Sequence, residues 1–361
     1  MKFAIGATYF SLAAVQASAI PTSEAQGAIQ VGVPKMIKTK YNDSAKRAII
    51  RYPAFTLQPN GQGSGAFHMD PRGQSGILSI GDGMCSSCTL LSAHFRLVFP
   101  DGKEADPKDG VYIHHMTSTL SPKKADNPIG GMSLGGAGGI SAYFIDRGED
   151  SGQTDTIFTS TTDKTVVSGY QVHGKPSIRV SYDLVNYKSE AKQLHLELEY
   201  EYLDGIKGSD AGHTLKSVMG SPKLNGKTVS QPMKVSKDTK IVWARGHLHQ
   251  GGVEMSLSVN GAQKCVSKPT YNAAGVITAM SLCPEVIDIK AGQTLTIASV
   301  YDTKEHKLYV TQLNDTPTRE FERMRSPELT VIRNRRESSD GSGKAAKGTI
   351  GGSDVMVQKM G

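Results

Sequence analysis

Residues 195–202 run His-Leu-Glu-Leu-Glu-Tyr-Glu-Tyr, apolar and polar side chains alternating without a break. Strand side chains alternate between two faces, whereas helical faces recur every 3.6 residues. Only an extended strand sorts this segment into an apolar face and a glutamate face, and the pattern predicts that the glutamates meet water. The same period puts Ile178, Val180, Tyr182 and Leu184 on one face of residues 178–184. Residues 88–99 form an apolar, β-rich run stopped by Pro100-Asp101-Gly102, and residues 295–301 read as another strand. Nowhere does a 3.6-residue apolar period persist beyond about two turns. With 39 glycines and 16 prolines as punctuation, the 361 residues are predicted to be all-β, in antiparallel β-sandwiches, with length enough for two domains.

The chain begins with Lys2, an apolar or small run from Phe3 to Val15, and Ala17-Ser18-Ala19, the pattern of a secretory signal peptide over residues 1–19. That run is too short to span a bilayer, and no other stretch qualifies. A secreted protein, extracellular or in the cell wall, is therefore expected, with no membrane span. Residues 20–75 are expected to be an N-terminal extension with the first strands, 76–205 a first sandwich, and 231–325 a second. Between them, 206–230 is rich in Lys, Gly and Ser and reads as a linker or inter-domain loop. From 326 to 361 apolar periodicity fades, and Arg-Glu-Ser-Ser-Asp-Gly-Ser-Gly-Lys has the composition of a disordered tail.

Four cysteines in an exported chain point to two disulfides, although four allow three pairings. Cys265 with Cys283 is the first choice, since each ends an apolar segment; Cys85 with Cys88 would then close a very small loop. No βαβ pattern surrounds that C-x-x-C to support a redox role. Asn42-Asp43-Ser44 and Asn314-Asp315-Thr316 have the form of glycosylation acceptors. The formal charge of +7 is spread along the chain without an aromatic-interleaved basic stripe, so no nucleic-acid partner is expected.

Chemistry concentrates in histidines. In Gly246-His247-Leu248-His249-Gln250-Gly251-Gly252, two imidazoles two residues apart on an extended segment share a side, a geometry suited to one transition metal. Alternation over 253–259 followed by Asn260-Gly261 signals a β-hairpin. The other cluster is Tyr112-Ile113-His114-His115-Met116. Adjacent strand residues point to opposite faces, so both histidines reach one ion only where the strand ends, bends or bulges.

These motifs, with the Tyr301-Asp302 pair, resemble the copper type II, ascorbate-dependent monooxygenases, typified by the peptidylglycine α-hydroxylating enzyme and dopamine β-hydroxylase. The chain looks closer still to the stress-up-regulated nodulin-like proteins of plants and their fungal secreted relatives. That group shares the Asp109-to-His115 stretch, the Cys88-Thr-Leu-Leu start and Tyr187 preceded by Asn186. The resemblance implies two jelly-roll-like sandwiches facing across a cleft, each carrying part of a copper site. It matches His114 and His115 to a three-histidine copper that stores an electron. His247 and His249 match a copper held by two histidines and a methionine, where oxygen is activated.

At the place of the third histidine this chain has Asn186, a poor copper ligand whose other role is a hydrogen-bonded core amide; His173 lies nearby as a substitute. Met324 is the nearest candidate for the thioether, while Met255 sits inside the hairpin, where a core role is the default. The resemblance implies a secreted copper-binding protein, monooxygenase-like if active, acting on a small-molecule or peptide-like extracellular substrate, with zinc as the alternative metal. The alternative function is a non-catalytic extracellular metal-binding or cell-surface structural β-sandwich protein.

Overall fold

The computed structural model describes residues 29–60, 62, 73–124, 128–129, 141–151, 154–218, 223–273, 275–307 and 328–335. The expected signal peptide, Asn314 and Met324 lie outside the described residues. Those residues form β-strands and two short 3-10 turns, so the all-β expectation holds. Among them, no helix is long and apolar enough to cross a membrane. The segments singled out by their alternation become the strands Ser87–Val98, Ser177–Asn186, Lys192–Asp204 and Thr294–Asp302.

The larger sheet is one continuous path. It runs Lys35–Ile37, Lys46–Arg51, Lys192–Asp204, Ser87–Val98 and Ser168–His173, then Ser209–Ser217, Ser141–Gly148, Val111–Lys124, Ser177–Asn186 and Gly73–Ile80. Its two halves meet only through short pairings, two residue pairs at Ser209–Asp210 and one at His213, so the path folds over there. Phe95, Tyr170, Leu196 and Leu198 from one half enclose a core with Ile113, Phe144, Val180 and Leu184 from the other. A second core, including Leu257, Ile289, Leu295 and Ile297, lies between a five-stranded sheet and the strand Thr239–His247 with its short neighbours. Asn260-Gly261 turns the hairpin between Gly252–Val259 and Ala262–Ser267, both residues at positive φ (49° and 80°) as a tight hairpin turn requires.

One expectation is corrected. The glutamate face of 195–202 is not solvated: Glu197 is 1% exposed and Glu201 fully buried. The N-terminal strand Lys46–Arg51 pairs beside it, setting Arg51 opposite Glu197, while Arg96 lies opposite on the other side. Arg51 Nε and Arg96 Nη2 donate to the two Glu197 oxygens at 2.9 and 2.8 Å, and Arg47 pairs with Glu199. Glu201 accepts the backbone N–H groups of Lys40, Tyr41 and Asn42. Buried carboxylates persist only when their charge is paired or satisfied by hydrogen bonds. Arg51, Arg96 and Arg47 do this for Glu197 and Glu199, and three backbone N–H groups for Glu201.

The stretches read as linker and tail also carry strands. The stretch read as a linker holds the strands Ser209–Ser217 and Asn225–Val229; Ala211, His213 and Leu215 of the first are buried. The stretch read as a tail begins with the strand Glu328–Arg335, whose Ile332 is in the first core; the rest of it lies outside the described residues. In both, polar side chains at strand edges masked a short buried row. The cysteines pair as Cys265–Cys283 and Cys85–Cys88. Asn42 is exposed at a turn, its side chain accepting the Ser44 N–H at 2.8 Å.

Glu201→Ala leaves three backbone donors without their acceptor and should cost about 3 kcal/mol. Glu190→Ala, at an exposed site, should stay within about 0.5 kcal/mol of the parent. Urea-unfolding midpoints distinguish the two.

Candidate metal centre

The first half delivers its histidines through a bulge. On Val111–Lys124, His115 pairs with Asp183 and Ile113 with Leu184, so His114 is the extra residue. The bulge releases the two rings from opposite faces; their centroids lie 4.4 Å apart at 84°. His115 also pairs across to Gly148, the last residue of Ser141–Gly148. Directly after it, the turn Glu149–Ser151 presents Asp150, which is fully buried.

The second half delivers His247 as the last residue of Thr239–His247, and His249 from the turn that follows. Gly251, at φ 87°, and Gly252 let that turn close. A Cβ on Gly252 would meet Leu248 Cβ at 2.7 Å and the His249 carbonyl at 3.0 Å. His249 N–H donates to the Tyr301 hydroxyl at 3.4 Å. The His247 and His249 rings lie 4.9 Å apart, as the two-residue period predicts.

Across the junction, His247 Nε2 lies 2.9 Å from His115 Nε2. One ring nitrogen from each of His115, His247 and His249 falls within 4.8 Å of the others. An ion bound to imidazoles at about 2.0–2.1 Å holds nitrogens at most about 4.2 Å apart, so small ring movements suffice to close around it. His249 Nε2 is buried and has no hydrogen-bond partner among the described residues. Burial, with His247 and His114 adding to it, holds the His249 imidazole well below the usual histidine range, in the neutral form that ligates metals. Three convergent imidazoles and one partnerless nitrogen fit a borderline transition metal such as copper or zinc.

The other candidates lie apart. His114 stands behind His115: its Nδ1 is 3.1 Å from Asp183 Oδ2 and 3.3 Å from His115 Nδ1. His173 is exposed at the end of Ser168–His173, opposite Ser87. Asn186 is a core amide, donating to the carbonyls of Leu57, Gln58 and Glu190 and accepting the Lys188 N–H. Met255 is buried in the second core. The sequence pattern did not mark Asp150, Asp183 or Gly148. Asp183 falls on a strand face predicted to be wet, and Asp150 follows no periodic segment.

Residues 189–313, which include His247, His249 and Tyr301, match the family described as Stress up-regulated Nod 19. A protein of the fungus Phoma sp. (strain ATCC 20986 / MF5453), named Probable copper-dependent oxygenase M1, is 21% identical over 287 residues, covering 75% of this chain and 69% of that one. Together they support a coarse likeness to nodulin-like and copper-oxygenase-like proteins. Among solved structures, PNGase F, a glycosylasparaginase from Flavobacterium meningosepticum, aligns with 80% of this chain and 96% of its own at TM-score 0.36 and 9% identity. Recombinant peptide: N-glycanase F aligns with 80% and 95% at TM-score 0.34 and 9% identity. Neither bears on the chemistry.

His94, buried beside Arg147, is held neutral in the same way as His249. Their folded pKa values lie below the unfolded value of about 6.5, so below that pH the unfolded chain binds protons that the folded one does not. Stability should therefore fall with acidification, each histidine contributing about 1.4 kcal/mol per pH unit until its folded form titrates. Urea unfolding of metal-free protein at several pH values should show this slope reduced in His94→Asn and in His249→Asn.

Proposed function

We propose that the chain is an extracellular copper-binding protein with the oxidoreductase chemistry of the copper oxygenase-like group. The observation that carries this reading is the convergence of His115, His247 and His249 around the partnerless Nε2 of His249. Those three side chains would hold the ion. Copper supplies one-electron redox chemistry that can be coupled to dioxygen. The likeness to a protein named as a copper-dependent oxygenase favours copper over zinc. Where the resemblance to peptidylglycine-type enzymes implies two coppers, His115 standing beside His247 and His249 supports a single centre. His247 and His249 are buried while His114 and His115 are half-buried, so a small or peptide-like substrate approaches from the His114–His115 side. Two disulfides and the signal-like N-terminus support export.

Asn186 favours a second reading. Its amide is committed to the core and does not replace the third histidine of an electron-storing site, which suits a protein that binds copper without turnover. Copper loading followed by metal analysis should give one copper per chain, lost in the His247→Ala/His249→Ala variant. Ascorbate-dependent oxygen uptake by the loaded protein supports the first reading, and bound copper without uptake the second. Unchanged stoichiometry in the variant overturns both.

A further inference from the structure

We infer that Asp150 and Asp183 are the positioning residues of this centre, and that His114 is held by Asp183 against the His115 ring instead of ligating the ion. This rests on the reading that His115, His247 and His249 hold a metal. The groups lie along one line of close polar contacts. Asp150 Oδ1 is 2.7 Å from His247 Nδ1, and His247 Nε2 is 2.9 Å from His115 Nε2. His115 Nδ1 is 3.3 Å from His114 Nδ1, which is 3.1 Å from Asp183 Oδ2. A carboxylate stands at each end, one beside each half's contribution to the triad.

At the Asp150 end the direction of the bond is set. The carboxylate accepts, so His247 carries its proton on Nδ1 and keeps the Nε2 lone pair toward the other imidazoles. The other oxygen, Oδ2, accepts the Leu248 N–H at 3.2 Å, which fixes the carboxylate against the backbone of the histidine motif itself. Gly148 makes the room: a Cβ there would lie 2.8 Å from His247 Cε1 and 2.9 Å from Asp150 Oδ1. A carboxylate behind a ligating imidazole fixes its tautomer and ring plane and raises its basicity.

At the other end, the bulge that brings His114 to the side of His115 also sets Asp183 directly across from His115. With Asp183 accepting its proton, His114 Nδ1 has no lone pair left for a His115 Nδ1–H, so His114 supports the His115 ring by edge-to-face packing and stands outside the convergent triad. The charges agree with these roles. Asp150 and Asp183 are both buried, and a divalent ion among three neutral imidazoles supplies two positive charges against their two negative ones. Negative charge one layer out favours the divalent over the monovalent state of copper.

Copper(II) loading of the full chain and of single variants tests this, with affinity by chelator competition, reduction potential by redox titration and imidazole count by pulsed electron paramagnetic resonance. Asp150→Asn should weaken copper(II) binding by about 10–100-fold and raise the potential while keeping three coordinated imidazoles. Asp183→Asn should act in the same direction, and carries the test should Asp150→Asn not fold. His114→Ala should keep one copper and three imidazoles, whereas His115→Ala should lose one. A lost imidazole in His114→Ala, or unchanged affinity and potential in both aspartate variants, overturns the inference and leaves the metal-binding reading standing. Failure of the unmodified chain to take up copper removes both.

Discussion

The strand Thr239–His247 is buried along nearly its whole length and belongs to both cores. Val242 and Trp243 pack into the first, Ile241 and Ala244 into the second. A strand buried on both faces has no wet side to slip toward, so a shift of register would misplace every side chain at once. Its one fully buried cation, Arg245, is held by Asp146 at 3.4 Å and lies over the Trp243 ring at 5.6 Å. Removing either partner of such a buried pair strands the other's charge, which ties the register to Ser141–Gly148 as well. His247 is the last residue of this strand, and Gly148 and Asp150 follow Asp146 by two and four residues. The histidine motif and its carboxylate are thus set by one packed junction.

The architecture was legible because alternation is a local signal. Residues 178–184, 195–202 and 253–259 each declared a strand and two unlike faces. What alternation cannot declare is whether a polar face meets water. Glu197 and Glu201 needed Arg51, Arg96 and the backbone near Tyr41, all brought from distant sequence, before their burial became affordable. Ser209–Ser217 and Glu328–Arg335 were hidden for a related reason. Each is short and framed by charged residues, and each is stabilised by pairing with the other across seven residue pairs, not by a pattern of its own.

The site divides the same way. His247 and His249 were legible as a pair because a period of two puts them on one side. His114 and His115 were legible as a bulge, because no regular strand aims both inward. Their convergence was not: the resemblance distributes them over two ions, whereas the fold brings His115 to His247 from 132 residues away. Asp150 and Asp183 meet their histidines across 97 and 69 residues, and nothing near either aspartate distinguishes it from a surface acid. Asn186 was legible, since its place in the inward series of a predicted strand already implied a core amide.

The location of the triad has an energetic consequence. His115 and Asp150 come from one sandwich, and His247 and His249 leave the strand that both sandwiches share. A ligand set split between independently moving bodies would lose affinity to the cost of ordering them. Here Trp243 in one core and Ala244 in the other have already fixed the two halves against each other. An ion held there would need only small ring rotations to bind, and would stabilise the folded state by mass action to an extent set by its concentration relative to its Kd. The same packing limits how far the imidazoles can move as an ion changes its preferred geometry.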